Sequence, residues 1–159
     1  MFLFGPYTKL IINLNEEGEY DYLNIINNCT NFMQVRTGID IIEVKRIEDA
    51  INNLGESFLK RVYTEYEIEY CNSKNNMKYQ HFAARFAAKE AVFKAISSTL
   101  KSKYDITWTD IEIKNDENGR PEFRINKLDG VNIISKDISM SHLKKYAVAS
   151  VTIVLSRTG

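Results

Sequence analysis

The chain has 159 residues, 44% of them hydrophobic and 26% charged, with 21 basic residues balancing 21 acidic ones. This length and apolar content favour one domain with a sizeable core. A net charge of zero excludes bulk electrostatic attraction to nucleic acid or to an anionic membrane, so neither is an expected partner.

The sequence also argues against export and membrane insertion. No apolar run approaches the roughly 20 residues of a membrane span, and the amino terminus lacks the basic region of a secretory signal. Cys29 and Cys71 form no metal-binding pair, so we expect reduced thiols in a cytoplasmic protein.

The first 36 residues carry no recognisable chemistry. Residues 9–14 fit a short strand, and residues 22–33 have apolar positions at roughly helical spacing. We treat 1–36 as an atypical N-terminal extension and place the main domain at 37–159. Met33 is a second candidate for the true start of the protein. The intact mass of the protein purified from its native host would decide between the two starts.

The main domain opens with a strand followed by helices. Residues 38–44 are rich in β-branched side chains, which predicts a mostly buried strand. Residues 44–54 have one apolar stripe and predict a helix that Gly55 ends. Ser57 is expected to cap a short helix over 58–63.

Two further helices are predicted before the pattern changes. Thr64 and Glu67 form a capping box for a helix that ends near Cys71. After a polar loop, a long helix is predicted over 79–97. Strands are then predicted at 106–113, 121–125, 138–141 and 146–155, with 128–134 ambiguous and open to a short helix. This order predicts an α+β fold with an antiparallel sheet.

The long helix is unusual because it combines apolar residues with four charges between positions 85 and 94. An aromatic and aliphatic stripe predicts its core face, formed by Phe82, Phe86, Phe93 and Ile96. Glu90 and Lys94 are four residues apart and share a neighbouring face with small alanines that leave room for a ligand. Arg85 lies on the opposite flank, where it would serve another part of a ligand or a site shared between subunits. Lys89 is expected to snorkel from the stripe to solvent.

Two more residues are candidates for chemistry. Asp40 interrupts an apolar strand, where it either accepts backbone hydrogen bonds or serves a site. Paired in space with Glu90, it would make an oxygen-rich site suited to Mg²⁺. His142 ends a short strand, where it is either a structural residue or a general base or phosphate contact.

These motifs, in this order, resemble holo-[acyl-carrier-protein] synthase, a bacterial 4'-phosphopantetheinyl transferase. The resemblance spans roughly residues 33–155 and includes a hairpin turn of the family's type at 118–121. It is carried by the segments GIDIIEVKRI at 38–47, RFAAKEA at 85–91 with Lys94, SMSH at 139–142 and YAVA at 146–149.

The resemblance implies a function and a set of site residues. The family transfers the phosphopantetheine arm of coenzyme A to a serine of an apo-acyl carrier protein and releases adenosine 3',5'-bisphosphate. It uses Mg²⁺ and forms homotrimers with active sites between subunits. Carried over, these roles make Asp40 and Glu90 metal ligands and Glu90, Lys94 and His142 catalytic residues. Lys94 would also contact phosphate, and Arg85 and His142 would contact coenzyme A.

The remaining implied roles concern the proton and the carrier. His142, or a water held by a carboxylate, would remove the serine proton. Lys45 and Arg46 would face the acidic carrier. The alternative interpretation is that these two residues lie on a solvated helix face without a partner. The family's glycine-rich turn after the lysine is replaced here by Ser97 and Ser98.

Two other functions fit the same residues. A non-enzymatic module would bind the carrier or coenzyme A without transferring the arm. A Mg²⁺-dependent nucleotide pyrophosphatase would release products from coenzyme A in the absence of a carrier.

Overall fold

The computed structural model describes residues 33–100, 102, 104–128 and 131–157, so the elements predicted at 9–14 and over most of 22–33 lie outside the described residues. The helices and strands follow the chain in the order β1 (Met33–Glu43), α1 (Val44–Leu54), α2 (Glu56–Val62), α3 (Glu65–Asn72), α4 (Lys78–Ile96), β2 (Ile111–Asn115), β3 (Pro121–Ile125), β4 (Val131–His142) and β5 (Tyr146–Arg157). Within this part of the chain, no helix is long and apolar enough to cross a membrane.

The larger sheet has the order β1-β5-β4, with β5 antiparallel to both neighbours. Side chains alternate between its two faces. The inner face carries Gly38, Asp40 and Ile42 from β1 and the buried odd-numbered residues of β5, and α4 packs against it. The antiparallel sheet and long helix of the predicted α+β fold are therefore confirmed.

Close contact between α4 and β1 depends on a glycine. A β-carbon at Gly38 would lie 1.9 Å from the Ala91 carbonyl oxygen and 3.0 Å from the Ala95 amide nitrogen. The absence of a side chain at Gly38 lets the two backbones meet, which brings the C-terminal half of α4 against the strand that carries Asp40.

The prediction of a single core stripe on α4 was wrong. Phe82 and Ile96 are buried, but Phe86 and Phe93 are only partly buried. The helix lies between the sheet on one side and α1, α3 and β2 on others, so its alanines are core residues rather than a spacious ligand-facing surface. The buried alanines are Ala83, Ala84, Ala87, Ala88, Ala91 and Ala95.

Several element boundaries also differ from the predictions. Gly55, rather than Ser57, precedes α2, which begins at Glu56. The first half of the strand predicted at 106–113 is instead a 3₁₀ turn over Trp108–Asp110, because Thr107 and Asp110 form a capping box. The ambiguous segment near 128–134 contains the start of β4, and β1 begins at Met33, four residues before the predicted domain start. The capping box of Thr64 and Glu67 is confirmed.

Candidate active site

The candidate site begins where β1 crosses the C-terminal half of α4. Asp40 lies on the helix-facing side of β1, between Gly38 and Ile42. The Lys94 ammonium donates to an Asp40 carboxylate oxygen at 2.8 Å and to the Ile39 carbonyl at 3.0 Å. The structure thus joins two predicted site residues that are 54 positions apart in the sequence.

Glu90 lies one helical turn before Lys94 and joins the same group. Its pKa is raised, mainly by burial and further by the negative charge of Asp40, while the positive charge of Lys94 opposes the shift. The two carboxylates are therefore close enough to repel each other, and the Lys94 ammonium lies beside both. An added cation would be favoured at this position.

The donor set fits Mg²⁺. Two carboxylate side chains in a half-buried position are hard oxygen ligands, and Mg²⁺ usually takes one or two of these and completes its octahedron with water and substrate phosphate. Among the residues that the structure describes, no cluster of three or more acidic, histidine or cysteine side chains could hold a metal. Asp40 and Glu90 would therefore be partial ligands, with positions left for phosphate.

A cavity of about 200 Å³ adjoins Glu90 and was missed by sequence reasoning. Its wall is largely aromatic and aliphatic, and Trp108 in that wall stacks on Phe86 at 4.9 Å between ring centroids. Trp108 and Tyr104 are the sequence signal for this cavity, but the alternating pattern over 106–113 predicts a plain strand. The lining residues are Glu90, Phe93, Tyr104, Ile106, Thr107, Trp108 and Ile111.

His142 and Arg85 belong to a second group near the N-terminal half of α4. His142 ends β4, and its ring contacts His81 with 4.9 Å between centroids. Arg85 is 1% exposed; its guanidinium lies 3.9 Å above the Tyr70 ring and donates to Asn115 at 2.8 Å. Because Arg85 is buried, its expected contact with a ligand stays a prediction that requires the side chain to rotate outward.

The two groups are separate within one subunit. Ala149 of β5 pairs with Asp40 on one side and Met140 on the other, and His142 lies two residues beyond Met140. Asp40 and His142 are therefore separated by two strand spacings across the sheet and by two residues along it. Together these distances put their α-carbons about 12 Å apart. His142 is therefore beyond hydrogen-bond reach of Asp40 in the same subunit.

The snorkelling predicted for Lys89 was wrong. Lys89 is fully buried and forms an ion pair with buried Glu67 at 2.7 Å. It also donates to the carbonyls of Trp108 and Ile111, while Glu67 accepts from the amides of Thr64 and Ile113. This network ties α4 to α3 and to the Trp108 segment, which forms the wall of the cavity beside Glu90.

The surface of α1 carries the two cations predicted to meet a carrier. Lys45 pairs with Asp49 at 2.7 Å and with Glu48 at 3.5 Å, so its charge is largely balanced on its own helix. Arg46 is exposed and forms no ion pair among the described residues. Arg46 therefore contributes more uncompensated positive charge than Lys45.

The segment after Lys94 continues as a helical turn. Ser97 donates to the Lys94 carbonyl at 2.9 Å, and Ser97–Thr99 forms a 3₁₀ turn. The Ser97 hydroxyl thus satisfies one carbonyl at the end of α4, and both Ser97 and Ser98 are exposed.

Comparison with known proteins places this arrangement in a family. A family model described as the 4'-phosphopantetheinyl transferase superfamily matches residues 36–151. The holo-[acyl-carrier-protein] synthase of Koribacter versatilis is 44% identical over 124 residues, which cover 75% of this chain and 97% of the relative. That of Halothermothrix orenii is 44% identical over 121 residues, covering 72% and 92%.

Solved structures show the same fold. A holo-(acyl-carrier-protein) synthase from Bacillus anthracis in complex with CoA (3',5'-ADP) matches with a TM-score of 0.62 and 36% identity, over 77% of this chain and 97% of that one. The Helicobacter pylori holo-[acyl-carrier-protein] synthase in complex with coenzyme A matches with a TM-score of 0.64 and 31% identity, over 74% and 98%.

Proposed function

Because the chain belongs to the 4'-phosphopantetheinyl transferase superfamily, we propose that it transfers the 4'-phosphopantetheine arm of coenzyme A to a serine of an apo-acyl carrier protein. Adenosine 3',5'-bisphosphate is the other product. The observation that carries this proposal is the meeting of Asp40, Glu90 and Lys94 where β1 crosses α4.

The residues of this group suit a reaction at a pyrophosphate. Asp40 and Glu90 would hold Mg²⁺, which when bound neutralises phosphate oxygens that gain charge in the transition state. Lys94 uses two of its three N–H donors on Ile39 and Asp40, which leaves one for a phosphate oxygen. Its fixed ammonium stabilises developing negative charge.

The transfer is one substitution at phosphorus. The serine hydroxyl oxygen attacks the phosphorus that bears the pantetheine arm and forms the new P–O bond. The P–O bond to the adenosine 3',5'-bisphosphate breaks, and that group leaves with the electron pair. We assign the serine proton to a water held by the Glu90 carboxylate. As a base, His142 would have to act from a neighbouring subunit.

The second group, with Arg85 and His142, is proposed to bind another part of coenzyme A. A separation of about 12 Å between the α-carbons of Asp40 and His142 allows the two groups to contact different parts of one long ligand. The same separation is compatible with a composite site, in which one subunit supplies the metal pair and its neighbour supplies His142.

A homotrimer is proposed on the basis of the outer face of β1. Four apolar side chains on this face are 64–73% exposed, namely Met33, Val35, Ile39 and Ile41. An exposed apolar strand face of this kind, interrupted by Thr37, is typical of an interface. We expect Ile41→Lys to convert a trimer to a monomer in sedimentation analysis, while Leu54→Lys, at an exposed leucine on α1, leaves it intact. A monomeric parent protein would contradict the proposal.

Carrier recognition is proposed to involve α1, through Arg46 with a smaller contribution from Lys45. A positive patch on a protein with no net charge can steer an acidic partner locally. The compartment is proposed to be the cytoplasm, where a thiol such as that of Cys71 stays reduced.

The decisive experiment is a transfer assay. Purified protein with Mg²⁺, coenzyme A and a panel of apo-carriers should add the mass of the arm to one or more carriers. Asp40→Asn and Glu90→Gln should abolish transfer without unfolding the protein, whereas Glu117→Gln, at an exposed turn residue, should have no effect. Full activity in both site variants would remove the metal assignment.

The same assay separates the alternatives. Binding of coenzyme A by calorimetry without transfer to any carrier would favour a binding module. Release of adenosine 3',5'-bisphosphate without a carrier would favour a pyrophosphatase.

A further inference from the structure

A column of rings in edge-to-face contact joins the end of β4 to α3 and α4. The His142 ring lies 4.9 Å from the His81 ring at an interplanar angle of 66°. His81 lies 5.8 Å from the Tyr70 ring at 76°, and Tyr70 carries the Arg85 guanidinium 3.9 Å from its centroid. His81 is therefore the side chain that connects His142 to the buried Arg85 group.

His142 has few other means of orientation. Within the described part of the chain, its imidazole forms no hydrogen bond or ion pair. It stands at the last residue of β4, immediately before a turn that the Leu143 amide and Tyr146 carbonyl close. A side chain at a strand end can adopt several rotamers, so a neighbouring ring is what selects one of them.

His81 is suited to pack against a second imidazole because it stays neutral. Its pKa is lowered to about 4 by burial, and next by the positive charges of His142, Arg85 and Lys74. At neutral pH the neutral His81 ring adds no positive charge beside Arg85 or beside His142. Edge-to-face contact between such rings is favourable.

We propose that His81 is a positioning residue for His142: its ring packs against the His142 imidazole and fixes the rotamer in which that imidazole meets an anionic group of coenzyme A. The coenzyme A contact rests on the function proposed above, whereas the ring contact does not. His81 transfers no proton in this role. A flat ring of similar size should therefore replace it, and a small side chain should not.

Nuclear magnetic resonance tests the ring contact without any substrate. The chain contains only two histidines, so the imidazole signals are assigned with His81→Phe and His142→Ala. We expect a nuclear Overhauser effect between the two rings in the parent protein. We also expect His142 signals near their parent positions in His81→Phe and broadened or shifted in His81→Ala. Absence of the ring-to-ring effect, or parent-like His142 signals in His81→Ala, would overturn the proposal.

Kinetics tests its consequence for coenzyme A. We expect His81→Ala to raise the KM for coenzyme A about three- to tenfold, the range of an aromatic pair contact, with kcat nearly unchanged because binding rather than chemistry is affected. His81→Phe should restore the parent KM. An unchanged KM in His81→Ala would contradict the proposal, as would a His81→Phe protein as impaired as His81→Ala.

The two experiments separate this proposal from the proposed function. If the parent protein transfers nothing to any carrier, the function fails, and the resonance measurements alone decide whether His81 orients His142. If transfer occurs and both His81 variants match the parent, the function stands and the positioning role is wrong.

Discussion

Gly38 sets the distance between the strand that carries Asp40 and the helix that carries Glu90 and Lys94. In Gly38→Ala, the new β-carbon would lie 1.9 Å from the Ala91 carbonyl oxygen, where ordinary contact begins near 3.4 Å. The obstructing atoms are backbone, so strand and helix must separate by the difference, 3.4 − 1.9 = about 1.5 Å. Overpacking of this kind costs about 1–3 kcal/mol of stability.

The functional effect should exceed the loss of stability. Because Asp40 is two residues from Gly38, the separation stretches the 2.8 Å contact of Lys94 with Asp40 and widens the gap between the two carboxylates. A misplacement of about 1 Å at reacting groups costs roughly a hundredfold in rate. We expect kcat/KM for carrier modification to fall by about that factor under conditions where urea unfolding shows the variant to be folded.

A second glycine provides the matched control. Gly55 has a φ of +58°, and a β-carbon there would meet nothing within 4 Å. Gly55→Ala should therefore lose stability through backbone strain, by about 1–3 kcal/mol, and keep its activity per folded molecule. The reasoning is refuted if Gly38→Ala keeps parent activity, or loses no more activity than Gly55→Ala.

Three further predictions follow from the buried pair, the carrier surface and the histidine column. Glu67→Gln and Lys89→Met should each lower the free energy of unfolding, measured by urea denaturation, by about 3–5 kcal/mol because one charge stays buried without its partner. If the double variant loses as much free energy of unfolding as the two single variants added together, the pair is not coupled. In stopped-flow measurements, Arg46→Glu should lower the association rate with an acidic carrier, most at low ionic strength, whereas Lys60→Glu on α2 should not. Equal effects of the two substitutions would contradict the proposal that α1 binds the carrier. The pKa of His81 is about 6.5 in the unfolded chain and is lowered to about 4 in the folded protein. Because the unfolded state binds more protons between these values, the free energy of unfolding should fall as the pH drops from 6.5 to 4. His81→Phe should flatten this part of the profile of stability against pH, and an unchanged slope would contradict the lowered pKa.

Local sequence signals predicted the elements that have strong local causes. The capping box of Thr64 and Glu67 marks the start of α3 because its hydrogen bonds join residues three positions apart. The β-branched run after Gly38 and the apolar run after Tyr146 predicted β1 and β5, although both strands are longer than expected. Their added length comes from mutual pairing, which no single segment reveals.

The failures arose where distant parts of the chain decide the environment. Lys89 looked like an edge residue of α4 because its partner, Glu67, is 22 positions away and already has a local role as part of a capping box. Trp108 fits an alternating strand pattern, but the capping box of Thr107 and Asp110 makes this stretch of backbone a 3₁₀ turn instead. Asp40 and Lys94 illustrate the opposite case: the helix pattern and the buried carboxylate each indicated chemistry, but only the fold shows that they touch.

The central position of β5 restricts how this sequence can change over time. Ala147 pairs with Ile42 and His142, and Ala149 pairs with Asp40 and Met140, so a single short stretch supports both groups of the proposed site. Losing or gaining one residue in that stretch would turn every following side chain of the strand to the opposite face. Insertions at the 116–119 turn would leave the spacing intact. We expect natural variation in length to accumulate at such turns and to be absent from β5, because this strand sets the distance between the two groups.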